Sequence, residues 1–335
     1  MSNPRYLGMM KPMVEGDAAL WRLGQRRFTQ IGLGAETYPA HPDHLRELVN
    51  YLPDAPVNTA HLPYHLDITV PEHRAAVVEF ARAADRRLYG FTLHDQRTYS
   101  PERSGAFIAA LGKLTAALNA TPVNLFFEYV STRDFDEYEE MLTAAAQTPR
   151  VYPCLDVGHI AVDYCRDLIR KSCRELRQAV LAPDFALLAK YIDRVQAATS
   201  AARGLAFKYV KRFFAAHFSR LHFHAHDAHP ISKLSPYPIR DHLSYLQTLA
   251  LPFRWGASNF TRGIFGPAGA AELNQLLCGA DAEITLMLEI HAQPGRLPLG
   301  ADADLFAHWA DITNAEKMNR HLELIHQSYN VLTAV

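Results

Sequence analysis

The stretch RLHFHAHDAH (Arg220–His229) holds four histidines and an aspartate in ten residues. The apolar run before it, with Phe213, Phe214, Phe218, Leu221 and Phe223, reads as a buried element that ends in a polar cluster. Strand alternation puts His222, His224 and His226 on one face and Phe223 on the other. Solvated histidines at a strand end explain this stretch equally well when it is taken alone. The balance shifts because several other apolar runs in the chain end the same way.

Eight such runs are expected as strands: Tyr6–Met10, Thr29–Tyr38, Val57–His61, Leu88–His94, Pro122–Val130, Val151–Asp156, Leu221–His226 and Ile284–Ile290. Helical spacing separates most of them, over Asp17–Arg27, His41–Leu52, Pro71–Arg87, Ser100–Ala120, Thr132–Gln147 and Ala270–Leu277. The strands are continuous apolar runs rather than alternations, as expected for parallel strands covered on both faces. This order predicts an α/β fold, a (β/α)8 TIM barrel, as one domain over residues 1–335. Two departures interrupt the rhythm. Residues 161–220 read as a helical insertion of two or three helices after the sixth strand. It is basic, with twelve Lys or Arg against five Asp or Glu. Residues 230–269 read as an irregular Pro- and Gly-rich loop over the barrel mouth, with one helix near His242–Leu249. One or two helices over 301–333 close the chain.

Composition narrows the function. The 335 residues are 49% hydrophobic and 21% charged, which suits a sizeable core. A formal charge of −1 gives no global pull toward nucleic acid or membrane surface. Seventeen histidines stand against four cysteines, and no two cysteines form a CxxC pair. They read as reduced thiols. The N-terminus shows no apolar leader, and no run reaches membrane-spanning length, so a cytoplasmic protein is expected. No Rossmann glycine fingerprint, P-loop, HExxH or nucleophile elbow is present.

In a TIM barrel the chemistry sits at the C-terminal strand ends. The residues there are His61, His94, Glu128, Asp156, His159, His224 and Glu289. A single histidine at a strand end is usually a satisfied polar residue. Glu128 and Glu289 are harder to dismiss, because each interrupts an apolar run, LFFEYV and LMLEIH. A bare buried carboxylate is costly unless paired or bound to a cation. A mixed His and carboxylate set points to Zn²⁺ or Mn²⁺ rather than Ca²⁺. Cys154 shares the strand face of Asp156 and is expected in the core.

The pattern resembles the xylose isomerase-like TIM-barrel superfamily, which includes endonuclease IV and many sugar isomerases and epimerases. The marks are Glu128 on the fifth strand, the LDVGH turn from Leu155 to His159, the HAHD end from His224 to Asp227, and Glu289 on the last strand. The resemblance implies that Glu128, Asp156, His224 and Glu289 ligate one divalent metal, with His159 beside it. His61-Leu-Pro63-Tyr64 and His94 resemble the endonuclease IV branch. There they would form a second site with a bridging Glu128. For a third ion the pattern departs: Asp241-His242 are adjacent rather than spaced by one, and Asp227-Ala-His229 comes early. His226, Asp227, Asp241 and His242 are therefore further metal or substrate candidates, and one to three ions are expected.

The resemblance supports three functions. The first is a multi-metal phosphoester hydrolase, with metals activating water and stabilising both oxygens. A nucleic-acid substrate would then engage the series Arg166, Arg170, Lys171, Arg174 and Arg177; a solvated helix face explains that series more simply. The second is a single-metal sugar isomerase or epimerase. There Glu128 and Glu289 move protons on opposite faces of the sugar and His159 orients a hydroxyl. The third is a non-catalytic metal- or ligand-binding barrel. The oligomeric state is not legible.

Overall fold

The structure, a computed structural model, describes residues 3–10, 17–84, 86–94, 101–119, 121, 123–129, 135–179, 185–216, 218–228, 242–290, 312 and 314–334. Eight parallel strands close a barrel: β1 (Arg5–Met10), β2 (Gly34–Thr37), β3 (Thr59–His61), β4 (Gly90–His94), β5 (Asn124–Glu128), β6 (Val151–Asp156), β7 (Arg220–Ala225) and β10 (Glu283–Leu288). They follow chain order around the ring, and β10 pairs with β1 to shut it. The expected (β/α)8 barrel is therefore the observed fold.

The helices α1 (Ala18–Ile31), α2 (Pro42–Leu48), α3 (Pro71–Ala83), α4 (Pro101–Ala117), α5 (Phe135–Ala145), α10 (Gly266–Cys278) and α11 (Ala315–Thr333) belong to the outer layer. Local chemistry sets their ends. Asp17 caps α1 by accepting from the Ala19 and Leu20 amides, and Gly32 ends it in the left-handed conformation at φ 75°. Asn314 caps α11 through the Lys317 amide. Proline opens α2, α3 and α4 at the first helical position.

That glycine stop corrects one sequence boundary. The run from Thr29 reads as strand, but α1 continues through Ile31 to Gly32, and β2 begins only at Gly34. Gly34 is required there: a Cβ would sit 1.8 Å from the carbonyl oxygen of Val57.

Among the described residues the insertion holds four helices rather than two or three: α6 (Val157–Ser172), α7 (Arg174–Ala179), α8 (Phe185–Lys190) and α9 (Ile192–Ala215). Its core is the packing of α6 on α9. The buried stripe of α9 runs Val195, Ala198, Ala202, Ala206, Val210 and Phe213, at three- and four-residue steps. Burying each large apolar side chain of that stripe contributes about 1.5–3 kcal/mol. Lys171, Arg174 and Arg177 are exposed, and Arg166 pairs with Asp163 at 3.1 Å.

The segment after β7 differs most from expectation. No helix forms near His242–Leu249. Instead β8 (Thr248–Trp255) and β9 (Ser258–Arg262) form an antiparallel hairpin around Gly256. Gly256 makes the turn, and Pro252 lies inside β8 where the pairing register shifts between Ala250 and Trp255. Helix α10 then starts at Gly266, earlier than Ala270. Residues 229–241 and 291–311 lie outside the described residues, so Asp241, His229 and the first expected closing helix are not placed.

Candidate metal centre

Each donor stands at or just past the end of its strand. His61, His94, Glu128 and Asp156 close β3, β4, β5 and β6. His224 is next to last in β7, and Glu289 directly follows β10. Register aligns them, since His94 pairs with Glu128 and Asp156 with His224. The parallel barrel therefore gathers side chains from distant parts of the chain on one rim.

Donor atoms of Glu128, Asp156, His224 and Glu289 lie within 4.8 Å of one another, and all four residues are buried. His224 Nδ1 is 3.1 Å from both Glu128 Oε1 and Glu289 Oε2. Within this set one imidazole faces three buried carboxylates, and Asp156 Oδ2 and Glu289 Oε2 have no in-line hydrogen bond. Such a cluster is costly unless a cation sits among its oxygens. The donor set therefore fits a divalent ion.

A second group is His61, His94 and Glu128. The Nε2 atoms of His61 and His94 lie 2.9 and 3.2 Å from Glu128 Oε2. His61 Nδ1 donates to the Leu62 carbonyl at 2.9 Å, a tautomer assigned from that contact. It leaves the Nε2 lone pair facing the carboxylate, the arrangement of a metal-binding imidazole.

A third group is Asp156, His159, His226 and His242. Asp156 Oδ1 caps α6 by accepting from the His159 amide at 2.8 Å, and it lies 3.0 Å from His226 Nε2. Its Oδ2 lies 3.1 Å from His159 Nδ1. His242 reaches the group because Asp227 and Leu243 exchange two backbone hydrogen bonds of 2.8 Å. The His226 and His242 rings stack at 4.3 Å.

Asp227 stands apart from these groups. Its carboxylate accepts the amides of Ala228, Phe265 and Gly266, so it anchors the start of α10 rather than facing the donors. Burial pushes its pKa up to about 6 in spite of those three amides.

No protein-family model and no curated protein matches the chain. Solved structures do. A xylose isomerase domain-containing protein from Salmonella typhimurium LT2 matches at TM-score 0.50 and 10% identity, over 99% of each chain. The D-allulose 3-epimerase from Methylomonas sp., in complex with D-allulose, matches at 0.47 and 15%, over 98% of each. A xylose isomerase domain protein from Alicyclobacillus acidocaldarius matches at 0.45 and 9%, over 99% of this chain and 98% of that one. The chain has the xylose isomerase-like barrel fold.

Above the donors, this xylose isomerase-like barrel opens a cavity of about 490 Å³. Its polar lining includes His61, His94, Glu128, His159, His242 and Glu289. Its apolar lining includes Pro39, Leu62, Pro63 and Tyr64, the last largely exposed. Among the described residues no helix is long and apolar enough to cross a membrane.

Below the donors lies a layer that the sequence reading left out. Glu36, fully buried, meets His222 Nε2 at 3.1 Å, Thr59 Oγ1 at 2.6 Å and Thr92 Oγ1 at 3.1 Å. His222 Nδ1 meets Thr285 Oγ1 at 2.6 Å. The Tyr38 hydroxyl donates to Glu289 Oε1 at 3.0 Å, and its ring stacks on His61. Cys154 is buried beside this layer, in the core as expected.

Electrostatics follow the packing. Burial pushes the Glu128 carboxyl up, but His224 and then His94 outweigh it and hold it well below the usual range. Glu289 is treated alike by His242 and His224, and Asp156 is lowered by His159 and His226 against its burial. Burial drives the Cys154 thiol up, which keeps it protonated. The rim is therefore a set of ionised carboxylates interleaved with imidazoles.

Proposed function

We propose that this chain is a divalent-metal-dependent sugar isomerase or epimerase. The observation that carries this reading is the pair Glu128 and Glu289. Both carboxylates reach His224 Nδ1 at 3.1 Å and both border one cavity of sugar size. Glu128, Asp156, His224 and Glu289 would hold the ion. When bound, it supplies positive charge to two neighbouring substrate oxygens and acidifies the C–H between them. One carboxylate takes that proton, and the other serves the opposite face of the substrate. The Tyr38 hydroxyl holds Glu289 in place, and His159 at the rim orients a hydroxyl. The apolar lining of Pro39, Leu62, Pro63 and Tyr64 excludes water from the part of the substrate beside it.

A phosphoester hydrolase is the second reading, and one observation favours it. Glu128 Oε2 faces His61 and His94 while Oε1 faces His224, so its carboxylate borders two donor sets. That arrangement suits two ions clamping attacking and leaving oxygens.

Ion count and turnover separate the two. Protein loaded with Mn²⁺ is incubated in D₂O with a panel of ketoses and aldoses, beside His61→Ala/His94→Ala. One ion per chain in both proteins, with deuterium entering next to the carbonyl carbon, is expected. Two ions falling to one, with cleavage of a phosphodiester or abasic DNA and no deuterium uptake, would replace this reading with the hydrolase. Ion binding without either turnover would leave a binding barrel.

A further inference from the structure

We propose that Glu36 is a positioning residue, fixing the His224 ring so that Nδ1 faces Glu128 and Glu289 and setting the affinity of that four-residue site for a divalent ion. The inference rests on the reading that Glu128, Asp156, His224 and Glu289 hold an ion, which both proposed activities share.

The ring of His224 stands between two carboxylate layers. Its Nδ1 lies 3.1 Å from Glu128 Oε1 and from Glu289 Oε2, on the rim side. Its Nε2 lies 3.0 Å from Glu36 Oε1, on the interior side. The Nε2–H is off the line to that oxygen, and neither atom has another hydrogen-bond partner among the described residues. Cys154 and His222 also offer donor atoms within 4.8 Å of one on His224, but Glu36 Oε1 is the carboxylate oxygen that Nε2 faces in this fully buried place. A ring flip would put carbon against Glu36 and strand its Oε1, at a desolvation cost of about 1–3 kcal/mol.

Glu36 is itself held. Its second oxygen accepts the Thr59 and Thr92 hydroxyls and contacts His222 Nε2, with Thr285 behind His222. Five barrel strands, β2, β3, β4, β7 and β10, thus converge on one carboxylate. A metal-binding imidazole whose far nitrogen meets a carboxylate is more basic and better oriented, and loss of such a partner costs about 10–100-fold in metal affinity. Glu36 does not line the cavity and does not reach substrate, so its effect passes through His224.

Co²⁺ is the probe, in the full chain carrying His61→Ala/His94→Ala so that the four-residue site is read alone. Affinity is measured by chelator competition and site geometry by the visible Co²⁺ absorption. Glu36→Gln keeps the shape and removes the charge. It is expected to weaken Co²⁺ binding by about 10-fold or more and to alter the absorption band, with Glu36→Leu weaker still. Equal affinity and an unchanged band in both variants would overturn the role of Glu36 and leave the ion site standing. A parent protein that binds no Co²⁺ would overturn the ion site itself, and the inference with it. Where Glu36→Leu does not fold, Thr59→Val/Thr92→Val removes the groups that hold Glu36. This pair is expected to shift the band in the same direction, and a lowered melting temperature with an unshifted band would mark a purely structural carboxylate.

Discussion

Gly158→Ala tests how tightly the rim is packed. Gly158 is the second residue of α6, and the His226 ring lies against its Cα. A Cβ there would meet His226 Cε1 at 2.1 Å, Nδ1 at 2.4 Å and Nε2 at 2.5 Å. Ordinary contact needs about 3.5 Å, so the ring must retreat by about 1.4 Å. It has little room. His226 is fully buried, its Nδ1 donates to the Asp227 carbonyl at 2.9 Å, and His242 stacks on it. Overpacking costs about 1–3 kcal/mol and the strained hydrogen bond about 1 kcal/mol more. Alanine regains up to about 1 kcal/mol of helix propensity. The balance is a net loss of about 1–3 kcal/mol. Denaturant unfolding of the metal-free protein reads that loss, and ¹⁵N spectra of the histidine side chains read the displacement of His226. A variant more stable than the parent, with His226 resonances unmoved, would refute the packing argument.

Two further outcomes are expected. His321, buried in α11 with its Nε2–H on the Met9 carbonyl, has its pKa pushed down by burial to about 4. It stays neutral in the fold while the unfolded chain takes up a proton below about 6.5. Its contribution is therefore fully present above pH 6.5 and lost as pH falls toward 4, a loss of roughly 3 kcal/mol. His321→Gln, which keeps a donor for Met9, should flatten that part of the stability–pH curve; identical acid limbs would contradict the assignment. Asp227→Ala removes the acceptor of three buried amides, at about 1–3 kcal/mol each. Hydrogen exchange should then accelerate over Ile264–Ala270 well before the barrel strands, and uniform protection would disprove the anchoring role.

The barrel was readable because parallel strands buried on both faces leave unbroken apolar runs, and seven donors fell at their ends. Glu128 and Glu289 stood out as carboxylates inside such runs. Glu36 obeys the same rule but was hidden, because its run is short and joined to the helical residues Thr29–Ile31. The stop at Gly32 is a matter of backbone conformation, which the apolar pattern does not carry. Tyr38 and His222 gain meaning only from partners far away in sequence, Glu289 and Glu36. The β8–β9 hairpin was read as loop because Pro252 and Gly256 punctuate it. Asp227 passed for a donor because two of its three amide partners, Phe265 and Gly266, lie far along the chain.

The ring closes between β10 and β1, the last and first strands of the barrel. Glu289 arrives with the closing strand, and His224 arrives only after the whole helical insertion has been made. On a ribosome, the nascent chain would expose Glu128 and Asp156 long before their partners exist. Sequence separation of this kind slows assembly, because the entropy of closing long loops is met before the contacts form. The donor-bearing rim is thus a late product of folding. A chain cut short before β10 would lack both its seam and Glu289, and with them one wall of the donor cluster.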